Sequence, residues 1–194
     1  KRIDITSLIP TKNLFGRDIF VLDNEEDFYL WYAVGGGADH IKLKKKIILE
    51  KLAELIGFYF GDGNTSYNIR TFRINNCEPS VLNYCLDILE EMGITRDMIK
   101  VQVIYSTPKD NIDGPIKERC ISYWSRILRL SKAQIVSVNK SLGKTESLEY
   151  GSARVFLDSA VFVEFILNGA LKKIVSIIQE PKSKWEIIIL NGFL

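Results

Sequence analysis

The sequence predicts an α+β fold, built from short strands and amphipathic helices in a chain of 194 residues. Apolar residues make up 46% of the chain and aromatic residues 11%, which is enough for a buried core. Several short segments are rich in β-branched and aromatic residues and end at glycine, proline or Asp-Asn, as strands do. Longer segments place apolar residues three or four positions apart, as amphipathic helices do.

The first 48 residues are predicted to be β-rich. Strands are expected over residues 3–9, 19–22 and 28–34, because glycine, proline and Asp-Asn interrupt the pattern between them. The segment before the first helix carries four lysines: Lys42, Lys44, Lys45 and Lys46. These lysines fit two interpretations equally well, a solvated strand edge or a strand that contacts phosphate groups.

The segment from Leu52 to Gly63 is predicted to be a helix with one flat face. Ala53, Gly57 and Gly61 recur at every fourth residue, so they fall on one side of the helix. Such a stripe of small residues lets a second helix approach closely. Gly63 is a typical residue to end a helix. The stripe is therefore the predicted interface between two helices.

Asp62 comes at the end of this helix, where the negative end of the helix dipole disfavours a carboxylate. If two such helices pack through their small faces, two Asp62 carboxylates meet beside unpaired carbonyl groups. A hard cation would relieve that repulsion, and Mg²⁺, which prefers oxygen ligands, suits the position. Two carboxylates with metal and water are sufficient to attack a phosphodiester. The structural alternative is a glycine-capped core helix with a solvated Asp62.

The chain beyond this helix is predicted to alternate strands and helices. The predicted strands are residues 67–75, 100–105, 134–140 and 153–157, the last two forming a hairpin. The predicted helices are residues 79–92, 116–130 and 158–178, with a last helix from Pro181. The strand at 67–75 places polar and basic side chains at intervals on one face, which a purely structural sheet does not require.

Composition excludes several classes of function. The single histidine, His40, argues against a zinc site and against a histidine-based catalytic triad. Cys77, Cys85 and Cys120 have no CxxC spacing and are expected to be reduced thiols. The net charge is only +2, so any nucleic-acid surface has to be local. No signal peptide and no apolar run of membrane-spanning length is present, so no membrane partner is expected.

The residues from Leu55 to Gly63 resemble the motif of the LAGLIDADG homing endonucleases in its Gly-Asp-Gly, or DOD-type, form. Asp62 matches the second acid of the motif, whereas Phe60 stands at the first acidic position. The order of the later elements and the segments at 123–125 and 154–156 extend the resemblance over about residues 41–180. One complete motif is recognisable.

The resemblance implies a curved antiparallel sheet that lies along DNA, with helices packed on one face and the motif helix at a twofold interface. It implies metal-dependent cleavage of double-stranded DNA at a long, near-palindromic site, with Mg²⁺ or Mn²⁺ as the cofactor. Asp62 would be catalytic and, with Gly61, would hold the metal. Lys140 would assist the attacking water, with Gln134 and Lys144 as alternatives. The expected location is the cytoplasm of a prokaryote such as an archaeon, or an organelle.

DNA contacts are expected from basic and polar residues on the sheet or its edge: Arg70, Arg73, Lys132, Gln134 and Lys144. The expected organisation is a β-rich extension (1–40), an endonuclease-like domain (41–180) and a C-terminal helix (181–194). A single motif favours a homodimer with a twofold site. Residues 189–194 also resemble the start of a second motif, whose acid would then lie beyond Leu194.

Three other functions stay open. A protein of this fold that no longer cleaves would be an RNA maturase or a DNA-binding regulator. A self-splicing intein is disfavoured, because the chain opens with Lys1 and closes with Leu194 rather than with Cys or Ser and His-Asn. A structural or ligand-binding domain would suit the near-neutral charge, but it would not need a glycine stripe that ends in Asp62.

Overall fold

The computed structural model describes residues 1–34, 37–63, 70–107, 112–142 and 149–179. These residues form helices and mixed sheets, so the α+β class predicted from the sequence is confirmed. Within these ranges no helix is both long and apolar enough to cross a membrane.

The described strands form three sheets. In chain order the strands are β1 (Arg2–Asp4), β2 (Phe20–Asp23), β3 (Asp27–Val34), β4 (Gly37–Lys44), β5 (Lys46–Ile48), β6 (Phe72–Asn76), β7 (Ile99–Thr107), β8 (Ile135–Leu142) and β9 (Ser152–Leu157). β1 pairs with β5, and β2, β3 and β4 form a three-stranded antiparallel sheet. The largest sheet has the strand order β6-β9-β7-β8.

The described α-helices are α1 (Leu49–Asp62), α2 (Pro79–Glu91), α3 (Gly114–Ile127), α4 (Ala160–Glu164) and α5 (Leu171–Gln179). The helices predicted at 52–63, 79–92 and 116–130 are present with slightly different ends. The helix predicted over 158–178 is interrupted by a π-helical stretch, Phe165–Ala170. Gly169 in that stretch packs against the backbone of Leu8, where a Cβ would lie 2.0 Å from the carbonyl oxygen. The helix predicted from Pro181 lies outside the described residues.

The first predicted strand is wrong beyond its first residues. The side chain of Asp4 accepts a hydrogen bond from the Thr6 backbone N–H at 2.9 Å and begins a 3₁₀ helix at Ile5–Leu8. This turn buries Ile5 and Leu8, which an extended chain would place on opposite faces. The strands predicted at 19–22 and 28–34 are confirmed as β2 and β3.

The predicted boundary at residue 40 falls inside β4, so the N-terminal strands are not a separate extension in the structure. The carboxylate of Asp39 accepts a hydrogen bond from the Val161 N–H at 2.7 Å, at the beginning of α4. The buried Glu164 in turn accepts one from the Leu14 N–H at 3.2 Å. Residues of both ends therefore belong to one hydrophobic core.

The predicted hairpin of residues 134–140 with 153–157 is wrong. β9 lies between β6 and β7 and is antiparallel to both, while β8 pairs parallel to the other side of β7. The central position of β9 suits its alternation, because Ala153, Val155 and Leu157 are all buried. The sheet is therefore mixed rather than wholly antiparallel. Its buried side faces helices, and the residues on its other side are partly or fully exposed.

Gly63 joins the end of α1 to the edge strand β6. Its backbone forms an isolated antiparallel bridge with Ile74. A Cβ at Gly63 would lie 2.0 Å from the Tyr59 carbonyl oxygen and 2.7 Å from the Arg73 carbonyl oxygen. The residue adopts an extended conformation that any amino acid tolerates, so the need for glycine is steric. Only a residue without a side chain lets the helix end this close to the strand.

We predict that Gly63→Ala lowers the free energy of unfolding by about 1–3 kcal/mol, the usual cost of overpacking. Gly61→Ala is the matched control, because a Cβ at Gly61 meets no atom within 4 Å. That control should leave the free energy unchanged or raise it by up to about 1 kcal/mol through helix propensity. Urea unfolding of the three proteins measures both effects, and equal stability of the two variants would contradict the close contact at Gly63.

Candidate functional site

The carboxylate of Asp62 is held at the junction of α1 and β6. Asn76, the last residue of β6, donates a hydrogen bond from Nδ2 to Asp62 Oδ2 at 2.7 Å. The side chain of Asp62 is half-buried, and the steric requirement at Gly63 fixes the backbone that follows it. The sequence-predicted carboxylate therefore has a defined position beside the sheet rather than a free, solvated one.

A polar cleft with a volume of about 410 Å³ opens beside this carboxylate. It is lined by Gly61, Asp62, Gly63, Arg73, Asn75 and Arg154. Strand alternation brings these side chains together, because Arg73 and Asn75 alternate with the buried residues of β6 and Arg154 alternates with those of β9. Asn75 and Arg154 are direct partners in the ladder between the two strands.

Two guanidinium groups line the cleft on the side of the sheet that faces away from the core. Arg73 donates from Nε to Thr71 Oγ1 at 2.7 Å, and Arg154 donates from Nη1 to Gln102 Oε1 at 3.1 Å. Each bond uses one of the five N–H donors of a guanidinium, so each group can still bind a phosphate in the bidentate manner. With a single carboxylate beside them, the two arginines make the cleft electropositive.

Asn75 contributes an acceptor that lacks a partner. Its Oδ1 atom is buried and has no hydrogen bond among the described residues. A buried acceptor left in this state costs about 1–3 kcal/mol, so it marks a place where a ligand atom or a water would be favoured. The cleft therefore contains one buried acceptor that no described residue of the chain satisfies.

The cleft contains two oxygen groups of the kind that magnesium and manganese ions bind. Such ions take several oxygen ligands, and one chain offers the Asp62 carboxylate and the Asn75 amide oxygen. Among the residues that the structure describes, no group of three or more His, Cys, Asp or Glu side chains could hold a metal ion. A second carboxylate, such as Asp62 of a second copy, would complete the ligand set.

The stripe of small residues on α1 is accessible only at its end. Ala53 is 4% exposed and belongs to the core of its own chain, because its part of α1 packs on neighbouring elements. Gly57 is partly buried, whereas Gly61 is exposed and borders open space. The available part of the predicted interface is thus the last turns of α1, next to Asp62.

Lys140 does not meet Asp62. It lies on β8 and pairs with the buried Tyr105 of β7, at the edge of the sheet opposite to β6. Three strand spacings of about 4.8 Å separate these edges by roughly 14 Å. The prediction for Lys140 assumed that β8 and β9 form a hairpin, and the position of β9 between β6 and β7 removes that basis.

Arg154 is a basic residue of the cleft beside Asp62 that the sequence analysis did not select. The signal was present in residues 153–157, where Arg154 alternates with apolar neighbours. What the sequence does not reveal is that this strand pairs with β6 and so brings Arg154 beside Asn75.

The other predicted DNA contacts have separate places. Arg70 is exposed two residues before β6 begins. Lys132 is exposed and forms an ion pair with Glu118 at 2.5 Å. Lys144 lies outside the described residues.

Gln134 has a structural role. Its Nε2 atom donates to the carbonyl oxygens of Arg96 and Ile99 at 2.6 and 2.8 Å. Its Oε1 atom accepts a hydrogen bond from the Ser131 N–H at 2.9 Å. These bonds connect the turn before β8 to the beginning of β7 and leave the amide engaged on both sides.

The negative charge of Asp62 also acts on a cysteine thiol in the core. Cys85 on α2 is fully buried, and burial together with the negative charge of Asp62 raises the pKa of its thiol to about 12. The thiol is therefore neutral near pH 7 and is not a nucleophile. This excludes cysteine chemistry at Cys85, the thiol whose pKa responds to the charge of Asp62.

Comparison of the chain with protein-family models, with curated proteins and with solved structures finds no match in any of the three.

We predict that stability falls above pH 9 in a manner that depends on Cys85. Its pKa is near 9 in the unfolded chain and about 12 when folded, so between these values the unfolded state loses a proton that the folded state keeps. The free energy of unfolding then decreases by about 1.4 kcal/mol per pH unit. Urea unfolding at increasing pH should show a shallower decline in Cys85→Ala, whereas Cys77→Ala, at an exposed thiol, should match the parent. Parallel curves for all three proteins would refute the assignment.

Proposed function

We propose that this protein is a metal-dependent endonuclease that binds double-stranded DNA and resembles the LAGLIDADG homing enzymes. The observation that carries the proposal is the cleft that joins Asp62, at the end of the glycine-striped helix, to Arg73, Asn75 and Arg154 on the open face of the sheet. A carboxylate beside two phosphate-binding groups is the combination that phosphodiester hydrolysis requires.

The open face of the four-stranded sheet supports DNA as the substrate. Its residues are mostly polar or basic: Lys100, Gln102, Ser137, Asn139, Ser152 and Arg154. A β surface of this kind fits the major groove, where amide and guanidinium groups read base edges. Arg73 and Arg154, at the cleft, would bind the phosphates that set the register of the duplex.

The chain's own residues would act on one phosphate in the cleft. Arg73 and Arg154 hold its oxygens and stabilise the negative charge that develops in the transition state. Asn76 keeps the Asp62 carboxylate oriented, and Asp62 with Asn75 Oδ1 would hold Mg²⁺ or Mn²⁺ together with Asp62 of a second copy. Such an ion supplies an acidified water and neutralises phosphate charge.

A second function is favoured by the charge of the cleft. Two arginines beside one carboxylate bind a phosphate without any metal, so a chain that does not pair with a second copy would still bind nucleic acid. It would then act as an RNA maturase or a DNA-binding regulator rather than as a nuclease.

We predict that the protein cleaves a randomised duplex library at a discrete long site in Mg²⁺, and that Asp62→Asn abolishes cleavage. Binding should change little, because asparagine has a similar shape and can still accept the hydrogen bond of Asn76. Gel analysis of products, filter binding and the mass in solution are measured together. A dimer mass would support the shared metal site.

Other outcomes of that experiment separate the alternatives. A chelator should stop cleavage by the parent while leaving binding intact. Equal binding without cleavage in parent and Asp62→Asn would support the regulator or maturase. The absence of both binding and cleavage in the parent would refute a nucleic-acid function for the cleft.

We predict that Arg154→Gln weakens duplex binding and lowers the slope of log affinity against log salt by about one, since one phosphate contact is lost. Lys140→Gln removes the same charge at the opposite sheet edge and should leave the slope unchanged. Binding titrations across a salt series compare the two variants with the parent. If Lys140→Gln lowered the slope more than Arg154→Gln does, the phosphate contact would belong to Lys140 and the prediction would be wrong.

A further inference from the structure

One row of polar side chains crosses the whole open face of the four-stranded sheet. Arg154 of β9 is the direct partner of Asn75 of β6 on one side and of Gln102 of β7 on the other. Gln102 in turn pairs with Ser137 of β8. All four side chains are partly exposed. The row therefore connects the cleft, at Asn75, with the opposite edge of the sheet.

An irregularity in β8 completes this row. Val101 of β7 pairs with the buried Ile135, but the next residue, Gln102, pairs with Ser137, so Val136 is an extra residue in β8. In a regular ladder Val136, which is 50% exposed, would lie beside Gln102. Bulges of this kind change the direction of side chains and are frequent next to functional sites. The extra residue thus places a hydroxyl group rather than an apolar one beside Gln102.

The amide group of Gln102 is held in one orientation. Arg154 donates a hydrogen bond from Nη1 to Gln102 Oε1 at 3.1 Å. A guanidinium has no acceptor, so the amide atom that faces it must be the oxygen. The two donors on Nε2 have no hydrogen-bond partner among the described residues. Gln102 therefore offers donors to a ligand on the open face, while its oxygen is engaged by the chain itself.

The surroundings of Gln102 favour a base rather than a phosphate as its ligand. Lys100, the neighbouring cation on the same face of β7, pairs with Asp158 at 2.9 Å. The two arginines that can bind phosphate line the cleft at the other end of the row. Two strand spacings, about 10 Å in all, separate Asn75 from Gln102. Since bases follow one another at about 3.4 Å, a duplex with a phosphate in the cleft presents base edges to Gln102 within about three steps.

We propose that Gln102 is a specificity-determining residue that reads one base in the major groove and selects against cytosine there. In this groove guanine presents N7 and O6, adenine N7 and thymine O4, all of which are acceptors, whereas cytosine presents only the N4 donor. The Nε2 donors of Gln102 can bind the first three bases but not the fourth. This role rests on the proposed endonuclease function, because it requires a duplex on the open face, and it extends that function by naming the bases that are selected.

The experiment selects bound duplexes from a randomised library with the full chain and determines their sequences, in the presence of a chelator so that no duplex is cleaved. In the parent, cytosine should be depleted about fivefold or more at the position that Gln102 reads, which corresponds to the cost of one mismatched base. Gln102→Ala should lose this preference at that position alone. Gln102→Glu keeps an acceptor for Arg154 but replaces the donors by an acceptor, so cytosine should become the preferred base there.

Asn139→Asp is the matched control for the added charge. Asn139 lies on β8 opposite Ile104, so it belongs to the same face of the sheet but not to the row of Gln102. The control should weaken duplex binding in general, as Gln102→Glu does, because both variants add a negative charge that repels phosphate groups. It should leave the base preference at the position read by Gln102 unchanged. Thermal unfolding verifies that each variant is folded.

The outcomes separate the role of Gln102 from the function on which it rests. A parent that binds no duplex would overturn both. A parent that binds duplexes without any base preference would overturn the role of Gln102 alone. The same holds if Gln102→Glu keeps the parental preference, because Gln102 would then only position Arg154, whose hydrogen bond glutamate still accepts. A change toward cytosine that Asn139→Asp reproduces would also contradict the proposal.

Discussion

The close contact between Gly63 and strand β6 is the constraint on which the candidate site depends. The last turn of α1 can approach the sheet this closely because residue 63 has no side chain: a Cβ there would lie 2.7 Å from the Arg73 carbonyl oxygen of β6 and 2.0 Å from the Tyr59 carbonyl oxygen of the helix itself. That approach brings Asp62 within hydrogen-bonding distance of Asn76. Packing thus explains the second glycine of the Gly-Asp-Gly segment. The acid before that glycine, Asp62, lies at the mouth of the cleft.

Strand order then decides which basic groups the carboxylate meets. β9 lies next to β6, so Arg154 and Arg73 share the cleft, while the parallel strand β8 takes Lys140 to the other edge. A residue three strands away cannot act on the same phosphate, whatever its charge. The chemistry of the site therefore follows from the topology of the sheet as much as from the motif helix.

Local patterns were sufficient for much of this structure. The 3.6-residue periodicity located α1, α2 and α3, and the four-residue spacing that ends at Gly61 pointed to the next residue, Asp62, as the acid of the candidate site. Pairing of distant strands was not predictable in the same way, because β9 is close to β8 in sequence but pairs with β6 and β7. Such contacts depend on which apolar faces the whole core can cover, and a local pattern does not encode that choice.

The charges of the cleft would make cation binding depend on a second carboxylate. A single Asp62 faces two arginines, so the isolated cleft attracts a phosphate and disfavours a divalent cation. A second Asp62 would place two carboxylates around one position at the point where two chains meet, and Gly61 leaves open space at this end of α1 for such an approach. Arg73 and Arg154 would then bind phosphate in one chain, whereas Asp62 and Asn75 would hold a cation between two. Metal binding would depend on pairing, whereas phosphate binding would not, and this difference separates a nuclease from a regulator built on the same site.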